Sequence, residues 1–125
     1  MRINSFEDVQ SWKIGKELYL VLAEDFKYSK DYTFRDQLLR ATLSITNNIA
    51  EGFDRSSDKE LKQFLIISRG SCAEVRSMLH IAHADKKLDT KKYNTYIGMT
   101  TDISKLLTGF IKKLTTGDKR QATHR

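Results

Sequence analysis

Apolar residues recur along most of the chain at spacings of three, four and seven, the period of helices lying on a common core. Val9, Trp12, Leu18, Tyr19, Leu22 and Phe26 mark a first segment of this kind. Phe34, Leu38, Ala41, Ile45, Ile49 and Gly52 mark a second, and Leu39, Leu43 and Ala50 widen its apolar arc beyond half the circumference. A third carries Leu61, Phe64, Ile67, Val75, Met78, Leu79 and Ala82, with Cys72 inside the arc and Ile81 at its edge. Tyr93, Ile97, Thr100, Ile103, Leu107, Phe110 and Leu114 line one side of a fourth.

Helix-start signals stand before each segment. Ser5 with Asp8, Thr33 with Asp36 and Ser57 with Glu60 have capping-box spacing, and Thr90 follows Asp89. The expected helices cover about 6–27, 34–54, 58–86 and 91–115, with Gly117 as a stop signal. Their short connections force sequence neighbours to pack antiparallel. The predicted fold class is therefore all-α, an up-down-up-down antiparallel four-helix bundle over residues 1–116, with 117–125 a basic flexible tail. The wide arc of the second helix predicts a central position or a subunit interface.

Composition agrees with this pattern. The 125 residues contain no proline and six glycines, too few turn signals for an all-β domain. No apolar run approaches the roughly 20 residues that span a bilayer, so no membrane association is expected. A lone cysteine and no evident leader at the start predict a cytoplasmic protein. Twenty-two Lys and Arg against sixteen Asp and Glu give a net charge of +6, which admits a polyanionic partner without identifying one. The stretch from Lys112 to Arg125 holds five of the basic residues and one acidic residue.

Two constellations stand out. Lys62, Arg69 and Arg76 recur every seven residues on the third helix, with His80 and His83 continuing the line. Such a stripe, about 30 Å long, either tracks a phosphate backbone or is a solvated helix face. Lys112, Lys113, Lys119 and Arg120 extend the candidate phosphate contacts. On the second helix, Gln37, Arg40, Ser44, Asn48, Glu51 and Arg55 form a narrow polar stripe, while Ser71 and Glu74 lie at the apolar edge of the third. A carboxylate there needs a cationic or hydrogen-bonding partner, for which Arg40, Gln37 and Asn48 are the candidates. The expectation is a buried or half-buried cluster of Arg40, Asn48, Glu51 and Glu74, serving either helix register or recognition.

Catalysis has little support. Neither His80 nor His83 has the Glu three residues earlier that a di-iron bundle requires, and no metal or other cofactor is expected. Cys72 reads as a packed thiol, and no catalytic residues are assigned. The helices are too long and regular for a helix-turn-helix, and the aromatics face the core instead of forming a stacking platform. A small-molecule site inside the bundle or a ring pore has no signature in the pattern.

The run Gln37-Leu-Leu-Arg-Ala41, then Ser44-Ile-Thr-Asn-Asn-Ile-Ala-Glu-Gly52, resembles the signature of the four-helix-bundle family encoded in 23S rRNA intervening sequences. Arg55-Ser56-Ser57, Phe64-Leu65, Gly70-Ser71 and Glu74 continue it, and Phe6, Val9, Trp12 and Lys13 look like its first helix. The likeness covers about residues 6 to 115. Thr46 stands where the family often has proline, and Ser68 where it often has alanine. The resemblance implies a cytoplasmic bacterial protein forming a ring-shaped homopentamer. It also implies kinship in fold with the accessory variability protein of diversity-generating retroelements, a basic pentamer that works with a reverse transcriptase and nucleic acid. The expected function is non-enzymatic and RNA- or DNA-associated, with RNA preferred. The alternative is a protein–protein scaffold, for example a partner of a reverse transcriptase, whose charge keeps it soluble.

Overall fold

The structure is a computed structural model that describes residues 5–124, with side chains described over residues 5–116. It contains a 3₁₀ turn, Phe6–Asp8, and four α-helices: α1 (Gln10–Phe26), α2 (Tyr32–Phe53), α3 (Asp58–Ala84) and α4 (Thr90–His124). Each helix packs on its neighbours in sequence, α4 closes on α1, and the diagonal pairs make no close backbone contact among the described residues. This is the four-helix bundle that the periodicity predicts.

The antiparallel arrangement is legible in the cross-helix bonds. Arg69 reaches Thr108 and Arg76 reaches Thr101, so seven residues forward on α3 correspond to seven backward on α4. At one end of the bundle, Asp25 near the end of α1 accepts from the hydroxyl of Tyr96 and from Lys92 Nζ at 2.9 Å, both near the start of α4. Burial, with the Asp25 bond second, pushes the Tyr96 phenol above its ordinary range.

The core is built from Leu18 and Leu22, Leu38, Ile45 and Ile49, Leu65, Val75 and Leu79, and Ile103 and Leu107, all without solvent exposure. Hydroxyls are buried among them. Thr42 donates to the Leu38 carbonyl at 2.7 Å, Thr100 to Ile97 at 2.7 Å, and Ser68 crosses from α3 to the Ile45 carbonyl at 2.8 Å. A hydroxyl satisfied by a carbonyl one turn back costs the core little.

The helix starts correct several expectations. Ser57 accepts from Glu60 N at 3.2 Å, as its box predicts. Ser5 makes no backbone cap, and the chain instead forms the 3₁₀ turn and restarts at Gln10 after an extended Val9. Asp31, not Thr33, caps α2 by accepting from Phe34 N at 3.1 Å. Asp89, not Thr90, caps α4 by accepting from Lys92 N at 2.8 Å. In both cases the carboxylate nearest the first free N–H groups takes the role, which Asp performs as well as Ser or Thr.

Two further expectations change. Ile67, expected in the core, and Ile81, expected at its edge, are exposed; Cys72, Val75, Leu79 and Ala82 are buried as expected, and toward the start of α3 the core side runs through Leu65 and Ser68. Phe64 to Ile67 are four consecutive apolar residues pointing in almost every direction, so the pattern leaves the core direction open by a quarter turn. The helical assignment of α4 also runs past Gly117 to His124. A glycine ends a helix where it adopts the left-handed conformation, and lowers helix propensity elsewhere. The side chains of 117–125, including Lys119 and Arg120, lie outside the described residues.

Candidate nucleic-acid interface

The basic stripe lies along the seam between α3 and α4. Arg69 is half-buried and donates to Thr108 Oγ1 at 3.2 Å, and the exposed Arg76 donates to Thr101 Oγ1 at 2.7 Å. His80 Nδ1 meets the Tyr93 hydroxyl at 2.8 Å. His83 stacks on the Tyr93 ring with centroids 4.1 Å apart and meets Thr90 Oγ1 at 3.1 Å. The stripe therefore lies along an inter-helix seam tied by hydrogen bonds, with Arg76 and His80 exposed to solvent. Each arginine uses one nitrogen on a threonine, and the rest of its five-donor fork remains for other acceptors.

The antiparallel register also brings half-buried Lys62 to the end of the bundle where Lys112 and Lys113 stand exposed on α4. The sequence reading missed Thr101 and Thr108 as the residues that orient the arginines. The signal was present: the two threonines are seven apart on α4, matching the spacing of Arg69 and Arg76 on α3.

The polar residues of α2 and α3 divide into parts. Ser44 and Ser71 meet at 2.7 Å across the helix pair, and Asn48 donates to the Ser44 carbonyl at 2.8 Å and its hydroxyl at 2.9 Å. These three are half-buried and form a small interhelical knot. Gln37, one of the three partners expected for Glu74, donates to it at 2.5 Å. Glu74 is exposed, which corrects the expectation of a desolvated carboxylate. Glu51 is exposed and bound by Arg55 one turn on, and Arg40 is exposed outside the knot. The expected buried charged cluster is thus a short hydroxyl–amide knot flanked by solvated charges.

Cys72 is buried in the core and donates from Sγ to the Thr100 carbonyl at 3.3 Å. Burial pushes its thiol up to about 11, with Arg76 acting weakly in the opposite direction. Among the described residues, no three His, Cys, Asp or Glu side chains cluster as metal ligands, and no helix is long and apolar enough to cross a membrane.

A ring of four helices with a basic inter-helix seam defines an all-α bundle protein with a polar face on each side of α3. The chain belongs to the 23S rRNA-intervening sequence protein family, whose model matches residues 7–109. Among solved structures, it resembles a protein of unknown function from the S23 ribosomal protein family of Bacteroides thetaiotaomicron. The two are 22% identical, and the match covers 82% of this chain and 95% of that one with a TM-score of 0.75. No curated protein is significantly similar.

Proposed function

We propose that the protein is a non-enzymatic, cytoplasmic homo-oligomer, pentameric as the family resemblance implies, that associates with RNA through its phosphate backbone. The observation that carries this reading is the seam on which Thr108 and Thr101 hold Arg69 and Arg76 seven residues apart. Pre-oriented guanidinium groups lose less side-chain freedom on meeting phosphates than free ones. Lys62, Lys112 and Lys113 extend the positive field toward one end of the bundle, and contact of this kind is largely independent of sequence.

The test is a native mass spectrum with and without a short generic RNA, followed by an RNA titration over a salt series. Uptake by an oligomer at low salt and steep release at high salt support the reading. A monomer, or affinity indifferent to salt, defeats it.

A second reading has its own observation. Ile67 and Ile81 on the outer side of α3 are 51% and 54% exposed, and Leu43 of α2 is 38% exposed. Apolar residues on a helix pair favour a protein surface, which supports self-association or a scaffold for a protein such as a reverse transcriptase. RNA-independent, salt-insensitive oligomers are the outcome that favours it.

A further inference from the structure

At the start of α1, Gln10 and Ser11 face Lys105, Leu106, Phe110 and Lys113 of α4 across a cavity of about 370 Å³. An α-helix begins with N–H groups that its own turns cannot satisfy. The residue preceding α1 is Val9, so no side chain caps them, and no acidic residue stands in the first turn. Of the two carboxylates in the preceding 3₁₀ turn, Glu7 lines a separate cavity with Glu51 and Asp54, and Asp8 is met by the Ser5 hydroxyl at 3.4 Å. The positive end of α1 therefore opens toward two ammonium groups.

Ser11 is the independent observation. It is 2% exposed, and its hydroxyl bonds to none of the described residues. The other buried hydroxyls are all partnered: those of Thr42, Thr46, Ser68 and Thr100 each donate to a carbonyl, and that of Tyr96 donates to the Asp25 carboxylate. Among the described residues, no side-chain polar atom is both sealed and unpartnered. The small accessible surface of Ser11 therefore includes its Oγ, and the space it opens on is the cavity that Ser11 lines.

We infer that this cavity binds a phosphomonoester carried on a flat apolar body, the chemistry of a nucleoside monophosphate, free or at the 5′ end of an RNA chain. Backbone N–H groups, a hydroxyl and two ammonium groups match the charge and acceptor count of a phosphate dianion. Leu106 and half-buried Phe110 form an apolar wall for a base, and the volume lies in the range of small-molecule sites, about 300–1,000 Å³. This inference stands apart from the backbone reading, because the arginine seam distinguishes no chain end.

Trp12, the single tryptophan, lies in the first turn of α1 and reports occupancy by its fluorescence. The full chain is titrated with adenosine 5′-monophosphate, adenosine and inorganic phosphate, then with 5′-phosphorylated and 5′-hydroxyl forms of one short RNA. The monophosphate gives a saturable response, and adenosine binds at least about tenfold more weakly. Replacing the two exposed lysines (K105Q/K113Q) weakens the monophosphate about tenfold while thermal melting stays unchanged, and Ser11→Ala weakens it severalfold. Preference for the 5′-phosphorylated RNA assigns the site to a chain end, and monophosphate binding without that preference assigns it to a free nucleotide. Equal binding of adenosine and its monophosphate, or full monophosphate affinity in K105Q/K113Q, overturns the inference. Because the monophosphate has no chain backbone, its failure leaves the arginine-seam reading intact.

Discussion

Gly15 of α1 lies against Thr46 of α2 so closely that a Cβ on it would come within 2.9 Å of Thr46 Cγ2. Thr46 is held in place, because its hydroxyl donates to the Leu43 carbonyl at 3.0 Å and its branched Cβ restricts χ1. Ile45 Cγ2, also on a branched side chain, stands 3.4 Å from the same point. The absence of a side chain at position 15 therefore sets the α1–α2 distance.

Gly15→Ala is accordingly expected to destabilise the bundle by about 1–2 kcal/mol, since overpacking outweighs the gain in helix propensity. Gly70, inside α3, is the control, because nothing lies within 4 Å of a Cβ built there. Gly70→Ala is expected to stabilise by about 0.5–1 kcal/mol. Chemical denaturation of the two variants checks both signs. A loss of stability in Gly70→Ala, accompanied by loss of oligomer, would place a partner copy against that glycine.

Lys86 has φ of 59°, the left-handed region, immediately after α3. There Lys87 N reaches back to the Ala82 carbonyl at 2.8 Å and Lys86 N to His83 at 3.1 Å, the bonding that closes a helix through a left-handed residue. A lysine strains at this φ and a glycine does not. Lys86→Gly is expected to raise stability by about 0.5–1 kcal/mol, with the melting temperature as the readout. An unchanged or lower value would mean that the Lys86 side chain contributes more than its backbone costs.

The number, order and direction of the helices were legible in the chain because apolar residues repeat at helical spacing over four long stretches. Leu38, Ile45, Leu79 and Leu107 are buried where that spacing places them. The rotation of α3 was less legible. Its core line includes Leu65 and the small hydroxyl residue Ser68, which periodicity weighs lightly, while Ile66 and Ile67 face solvent. Thr42 and Thr46 were missed in the core because a hydroxyl that bonds its own helix backbone packs much as an apolar group does. In the candidate interface, the heptad of Arg69 and Arg76 was visible, but their threonine partners lie 39 and 25 residues downstream. Only the register of α3 on α4 brings them together.

The Cys72 thiol, pushed up to about 11 by burial, carries a signed pH dependence. In the unfolded chain it loses its proton near its ordinary value, whereas in the fold it stays neutral to higher pH. The unfolded state thus releases the proton first, and the contribution of this residue falls as pH rises between about 9 and about 11, by up to about 1.4 kcal/mol per pH unit. Stability curves of the protein and Cys72→Ala over that window should converge with rising pH. At pH 8, a thiol reagent is expected to label Cys72 only after unfolding. Rapid labelling of the folded protein would contradict a sealed thiol.

Arg69 and Arg76 provide the sharpest test of the nucleic-acid reading. Each phosphate neutralised on a single strand contributes about 0.7 to the slope of log affinity against log salt, and on a duplex about 0.9. The Arg69→Gln/Arg76→Gln variant is expected to lower the slope for single-stranded RNA by about 1.4, with affinity reduced on every sequence tested. Neither arginine belongs to the buried core, which Leu65, Val75 and Leu79 of α3 and Ile103 and Leu107 of α4 supply, so the α3–α4 packing is expected to persist, and circular dichroism melting checks this. A variant that melts normally but keeps the parent slope would remove the seam from the RNA surface. The binding would then have to reside on the lysines of α4 or on no part of the described molecule.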